Sequence, residues 1–365
     1  MIDREKTYGL VLEGGGARGA YQIGCWQALD QLGIKISGIS GASVGSLNGA
    51  LICMNDLEGA MNLWQNLTFS KVIDVDDDAM MKFLQKQMPL KEKLGLIFHQ
   101  LNEKGFDVEP LKETIEQLVD EDKIRSSDRD LYIQVIDADK KKDLEVDVKT
   151  LAPGQIKDYL LGSAYFPLFK NERLGGKRFL DGGMANNVPI NALIKRNYKD
   201  IIVLRIYGIG REKHVRIPDD VKLFTVAPTE DLGNILDFSS ENTQYQIKLG
   251  YYDTLEALYG MNGRRFYYTL PTLTETEAYG KLFKLLSRHR DFLKDYFEIQ
   301  DEALENLRQI NERCWPYISF RLGLPEDWDY VSLYAVLLEI IAEHVKEMER
   351  FKFYEFNEFE AQALA

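Results

Sequence analysis

The sequence predicts an α/β fold, with a mostly parallel central sheet flanked by helices and a helical C-terminal segment behind it. Three observations carry that prediction. Residues 8–13 (YGLVLE) read as a strand running through a glycine loop into a helix, and residues 35–40 start the same strand, turn and helix order again. After about residue 230 strand character largely fades. A βαβα start of this kind calls for parallel strands, because each crossover helix has to return over the sheet.

The first strand closes on Gly14-Gly15-Gly16-Ala17-Arg18-Gly19, and a helix follows over 20–32 until Gly33 stops it. Residues 35–40 are partly β-branched and form the second strand. Gly41-Ala42-Ser43-Val44-Gly45 then forces a sharp turn, with a helix from Val44 onward. Residues 66–130 are polar, helical in pattern and interrupted at Met88-Pro89, Lys104-Gly105 and Glu109-Pro110, which suggests a cap-like insertion over the sheet edge. Residues 131–138 and 144–148 read as a hairpin around Lys140, Lys141 and Lys142. A helix over 153–161 enters Gly162-Ser163-Ala164-Tyr165-Phe166-Pro167, and a short strand over 177–180 enters Asp181-Gly182-Gly183. Residues 200–207 (DIIVLRIY) form a continuous apolar run, the mark of a strand buried on both faces, and 221–226 is another strand. Helices cover 242–261 and the chain from 274 onward. This divides the chain into residues 1–270 and a helical segment, 271–365, with Pro271-Thr272 at the boundary.

Composition narrows the function. A net charge of −13 excludes a nucleic-acid backbone as partner and predicts weak attraction to strongly anionic membranes. Three cysteines without a CxxC pair (Cys25, Cys53, Cys314) point to a reducing compartment and no disulfide frame, with Cys25 and Cys53 as small buried hydrophobes in helices. Residues 1–7 are charged and lead directly into a strand, so no signal peptide is expected. The most apolar helical run, 331–342, is broken by Glu339 and too short to span a bilayer. The expectation is a cytoplasmic, soluble protein that meets lipid only from the surface.

The glycine loop satisfies GxGxxG between a strand and a helix, and its first reading is a dinucleotide or other phosphate site in a nucleotide-binding or regulatory protein. That reading needs a carboxylate at the end of the second strand, where Gly38-Ile39-Ser40 stands instead. No Lys-Ser/Thr follows the glycines, which removes a Walker loop. What remains is a loop whose N–H groups face something negative, a description that an oxyanion hole fits. Ser43, on a strand–turn–helix junction with small neighbours, has the context of a nucleophile elbow, and the opening turn of its helix offers unpaired N–H groups. A serine nucleophile needs a base. His99, His214, His289 and His344 all lie in helical or highly charged surroundings, and none follows a strand end. Asp181 follows one, and two glycines leave room beside it. The acidic run Asp74-Val75-Asp76-Asp77-Asp78 resembles half of a calcium loop, but Ala79 replaces the required glycine and Gln85 the bidentate glutamate, so it reads as a solvated loop.

Taken together, GGGARG, GASVG and DGG, in this order and in these contexts, resemble the patatin-like phospholipase family, and GSAYFP resembles the block just upstream of that family's catalytic aspartate. The resemblance covers residues 8–226 and extends to about 261. It implies a three-layer fold and a Ser-Asp dyad in place of a triad, with Ser43 as nucleophile and Asp181 as general base. It further implies an oxyanion hole from the Gly14, Gly15 and Gly16 backbone with the Val44 N–H. Arg18 and Gly19 belong to the glycine loop, which Arg18 helps hold; Gly41 and Gly45 belong to the elbow, and Gly182 and Gly183 to the DGG turn. The implied activity is hydrolysis of carboxylic esters of lipids, of phospholipase A or lysophospholipase type, with no cofactor and no metal. A general esterase, thioesterase or acyltransferase with the same dyad is the alternative. The expected partner is a lipid ester, with transient membrane-surface contact, a homo-oligomer as an open possibility, and no nucleic acid. The aromatic residues of the last helices, among them Phe297, Trp315, Phe320, Tyr354, Phe356 and Phe359, read first as a helical core packed on the main domain. A lid, a lipid-surface element or an oligomer contact is the sharper reading.

Overall fold

A parallel sheet needs helices on both faces, and the first 259 residues supply them. The computed structural model describes residues 2–84, 105–167, 169–170 and 172–365. Gln85, the Met88-Pro89 interruption and His99 lie outside the described residues. The chain divides into two compact units, Met1–Tyr259 and Gly260–Ala365.

In the first unit β1 (Thr7–Leu12) lies between β2 (Lys35–Ala42) and β6 (Asp200–Leu204), parallel to both, and β7 (Lys222–Val226) adds a further parallel strand beyond β6. On the other side β3 (Asp130–Asp137) runs parallel to β2 and forms the expected hairpin with β4 (Lys142–Asp147). Tyr8, Leu10, Val11 and Leu12 are fully buried, so β1 is covered on both faces. Its side chains alternate between two layers. Val11 packs with Ile201 and Val203 against Ala192 and Leu193 of a short helix, Ile190–Ile194. Leu12, Ile39 and Leu131 face the opposite way, toward Gly49 of the helix Val44–Met54.

Helix α1 (Gly19–Gln31) runs behind the glycine loop and crosses the helix Ser240–Tyr259 with almost no gap. A Cβ on Gly24 would sit 1.9 Å from the Ile247 carbonyl oxygen, and one on Gly250 would sit 2.0 Å from that of Tyr21. Larger residues would push the helices apart, so the two glycines set the crossing. Three further helices, Asp77–Leu84, Glu109–Leu118 and Glu121–Ser126, fall in the region expected as a cap. Asp77, from the acidic run, is occupied by the backbone N–H and hydroxyl of Ser70, both at 2.8 Å.

The second unit starts eleven residues before the expected boundary at Pro271. Tyr267 and Tyr268 form a short strand that pairs with Phe353 and Tyr354, which ties the stretch after Gly260 to the C-terminal helices. The unit has its own aromatic core, in which Trp315, Tyr334 and Phe359 are at most 1% exposed and Tyr268 stacks on Phe359 at 4.8 Å. Glu339, the one charge in the apolar run, is buried within the helix Tyr330–His344. Its carboxylate accepts from the backbone N–H of Arg264, Arg265 and Phe266 and from the Tyr268 hydroxyl at 2.6 Å. Burial pushes its pKa up against the opposing pull of those donors. Among the described residues no helix is long and apolar enough to cross a membrane.

Candidate active site

The turn between β2 and the helix Val44–Met54, now α2, is tight because its flanking residues have no side chains. A Cβ on Gly41 would lie 2.4 Å from the Gly45 carbonyl oxygen, and one on Gly45 would lie 2.3 Å from that of Leu12. Ser43 between them adopts φ 53°, ψ −127°, a conformation that L-residues seldom hold and that costs roughly 1–3 kcal/mol. The result lifts the Ser43 side chain out of the sheet at the start of α2.

Asp181 reaches it through strand register. Along β3, residues 38–42 of β2 pair with 130–134, with Ala42 opposite Gln134. There β2 ends. The short strand β5 (Phe179–Asp181) takes its place, antiparallel, with Asp181 opposite Val135. The two strands therefore meet end to end on β3, and residues 138 positions apart in sequence become neighbours. The Ser43 Oγ donates to Asp181 Oδ2 at 2.6 Å, and the Gly183 N–H donates to Oδ1 at 2.7 Å. Asp181 is 4% exposed, and burial pushes its carboxyl up from 3.8 to about 6 against the opposing pull of the Ser43 and Gly183 hydrogen bonds.

The block Gly162–Pro167, which the sequence left without a job, fastens both partners. The Ser163 hydroxyl donates to the Gln134 carbonyl at 2.7 Å, and its oxygen accepts from the Ser43 N–H at 3.1 Å and lies 2.7 Å from Ser46 Oγ. The Ser163 and Tyr165 carbonyls accept from the Gly182 and Asp181 N–H groups at 2.9 and 3.0 Å. Ser43 and Asp181 thus share one support.

The glycine loop lies against Ser43, since a Cβ on Gly14 would be 3.1 Å from the Ser43 Cβ. The Gly14 N–H is occupied by the Asn187 carbonyl at 3.2 Å. The N–H groups of Gly15, Gly16 and Val44 have no acceptor among the described residues. Gly16 sits at φ 58°, where a side chain would also strike the Ile235 carbonyl oxygen at 2.3 Å.

Two charged residues hold this loop from behind. The Glu13 carboxylate, 1% exposed, accepts from the N–H groups of Ile206, Tyr207 and Gly208 and pairs with Arg205 at 2.9 Å. Arg18 donates to the carbonyls of Ile206, Tyr207 and Gly233, the segments packed around the loop. A buried amide network ties the loop's ends to neighbouring helices. Gln22 donates to the Glu13 carbonyl at 2.7 Å, Asn48 to that of Gly19 at 3.0 Å, and the Trp64 indole to Asn48 at 2.9 Å. The Asn187 side chain donates to the Gly14 carbonyl at 3.0 Å. Sequence reasoning missed Glu13, Ser163 and Asn187, although a carboxylate at the mouth of a glycine loop is a signal that a buried clamp is present.

Beside Ser43 and Asp181 opens a cavity of about 160 Å³, lined by Leu51, Trp64, Leu111, Ile115, Phe166 and Phe169 among others. Among the described residues, Asp181 is the only charged side chain in its lining. An apolar lining of this kind favours aliphatic groups and makes burial of an unpaired charge costly. His214 sits in an exposed loop, and His289 and His344 belong to the second unit.

A family model described as patatin-like phospholipase matches residues 10–194, half of the chain. Among curated proteins, the lysophospholipase nte1 of Aspergillus terreus (strain NIH 2624 / FGSC A1156) is 54% identical over 46 residues, 13% of this chain and 3% of that protein. The neuropathy target esterase sws of Drosophila persimilis is 56% identical over 47 residues, again 13% of this chain and 3% of that protein. The matches thus span only about 3% of the length of these curated relatives. Among solved structures, VipD from Legionella pneumophila aligns at 15% identity and a TM-score of 0.43, covering 98% of this chain and 90% of that chain. With half of its length matched by the family model, the chain belongs to the patatin-like phospholipase family.

Proposed function

We propose that the protein is a serine acyl hydrolase that cleaves a carboxylic ester of a phospholipid or lysophospholipid through Ser43 and Asp181. The observation that carries this reading is the 2.6 Å hydrogen bond between the two, beside a cavity that no other charged side chain lines among the described residues. Asp181 takes the Oγ proton as Ser43 attacks the ester carbonyl. The oxyanion that forms faces the N–H groups of Gly15, Gly16 and Val44, donors of a kind worth about 3–4 kcal/mol each in transition-state stabilisation. Collapse breaks the ester C–O bond, the leaving alkoxide takes the proton from Asp181, and the acyl group remains on Ser43. A water then loses a proton to Asp181 and attacks the acyl carbonyl, and the fatty acid departs as Ser43 regains its proton. The uncharged cavity supports an acyl chain inside and a polar head group outside.

The test is covalent. A fluorophosphonate is expected to label Ser43, located by mass spectrometry, and labelling is expected to vanish in Ser43→Ala and fall sharply in Asp181→Asn. A folded protein that takes no label and hydrolyses no ester would sink the reading.

A further inference from the structure

The geometry points to residues 207–216, with Met184, as a docking rim that seats the cavity mouth on an anionic lipid bilayer. This rests on the lipid-hydrolase reading above and adds the surface from which the substrate is drawn. Among the described residues of the first unit, three large apolar side chains are exposed: Met184 at 47%, Tyr207 at 56% and Ile209 at 56%. Met184 and Ile209 both line the cavity, and Tyr207, its ring against the Arg205 guanidinium, lies two residues before Ile209 in the same segment.

The segment is well anchored, so its apolar side chains face outward from a fixed platform. The Arg211 N–H donates to the Gly183 carbonyl at 2.9 Å, and the Asn187 N–H donates to the Arg211 carbonyl at 2.7 Å. The Tyr207 N–H is held by Glu13 at 3.1 Å.

Charge selects the occupant. The chain carries −13 overall, yet residues 207–216 (YGIGREKHVR) hold three basic residues against one acidic. That one, Glu212, is taken by Arg205, and Lys213 pairs with Asp143 at 3.0 Å. Arg211 and Arg216 are exposed and have no ion-pair partner among the described residues. Apolar and aromatic side chains flanked by free cations match the boundary between anionic head groups and acyl chains. The acidic remainder of the chain is repelled by the same surface, which orients the mouth toward it. An acyl chain then passes from bilayer to cavity without crossing water.

The experiment measures binding of the full chain to vesicles of phosphatidylcholine alone and of phosphatidylcholine mixed with phosphatidylglycerol. A soluble short-chain ester serves as a parallel substrate. The expected result is tighter binding to the mixed vesicles, weakened by salt. The pair Arg211→Glu and Arg216→Glu is expected to lower that binding about thirtyfold or more. Tyr207→Asn, chosen because asparagine tolerates the positive φ of 48° at this position, is expected to lower binding to both vesicle types. Soluble-ester turnover is expected to stay at the wild-type level in the charge-reversed protein, which also reports that it folds. Equal binding to both vesicle types, or wild-type binding by the charge-reversed protein, overturns the proposal. So does a dimer in sedimentation that these substitutions dissociate, since the rim would then belong to a second copy. Failure to hydrolyse the soluble ester strikes the hydrolase reading, while vesicle binding reads the rim by itself.

Discussion

Replacing Asp181 with asparagine is expected to stabilise the first unit at neutral pH while removing its chemistry. Burial lifts the carboxyl from 3.8 to about 6. A difference of that size corresponds to ~3 kcal/mol between the protonated and ionised forms. The sign follows from which form the fold prefers. At about pH 4 and below, where the unfolded carboxyl is protonated as well, the folded state has its full contribution from this group, and that contribution is lost as pH rises through about 6. Asparagine is uncharged throughout. It can still accept from the Gly183 N–H and donate to Ser43 Oγ, so the geometry that Asp181 now holds at 2.7 and 2.6 Å has a neutral counterpart. The variant is therefore expected to gain about 2–3 kcal/mol over the wild type at pH 7, a gain that closes toward about pH 4. Two units in one chain make a single melting temperature ill defined. Hydrogen exchange in peptides from β2, β3 and β5 reads the first unit directly. A variant less stable than the wild type at neutral pH, or a difference unchanged between the two pH values, refutes the reasoning that Asp181 is a destabilised base.

Two predictions accompany it. The kcat/KM for a soluble ester is expected to fall about tenfold per pH unit below about 6, because only ionised Asp181 can take the Ser43 proton; a profile flat between about 4 and 8 contradicts this. Ser163→Ala removes the acceptor of the Ser43 N–H, the neighbour of Ser46 Oγ and the donor to the Gln134 carbonyl. It is expected to cost about 2–4 kcal/mol of stability and to lower kcat with KM little changed, since the apolar cavity stays intact. An unaltered kcat would remove Ser163 from the support of the dyad.

The parts of the site that were legible in the sequence are those set by local geometry. Gly41, Ser43 and Gly45 announce a sharp strand-to-helix turn because backbone contacts within a few residues demand it, and the glycine loop between β1 and α1 does the same. The hairpin of β3 and β4 was legible from two runs of strand-forming residues and the lysine turn between them. The parts that were not legible depend on partners far along the chain. Glu13 reads as the last residue of a strand until residues 206–208 bring their N–H groups to it. Gly14 looks equivalent to Gly15 and Gly16 until Asn187 takes its N–H. Glu339 reads as an interruption in an apolar helix, although three backbone donors more than 70 residues away require it. The second unit begins before Pro271 for the same reason, a strand pairing between Tyr267 and Phe353 that no local pattern signals.

The end-to-end meeting of β2 and β5 on β3 also bears on when the protein becomes competent during its own synthesis. Residues 7–54 contain the strands, glycines and helix that form the Ser43 turn, and those contacts are short in sequence, with Ser163 joining them later. Asp181 comes 138 positions after Ser43 and has no place to stand until β3 has paired with β2 and β5 has paired with β3. A chain emerging from its N-terminus therefore carries the serine first and gains a proton acceptor only with the slower, long-range pairing. Incomplete chains therefore lack the Ser43–Asp181 pair, which forms only once the sheet is finished.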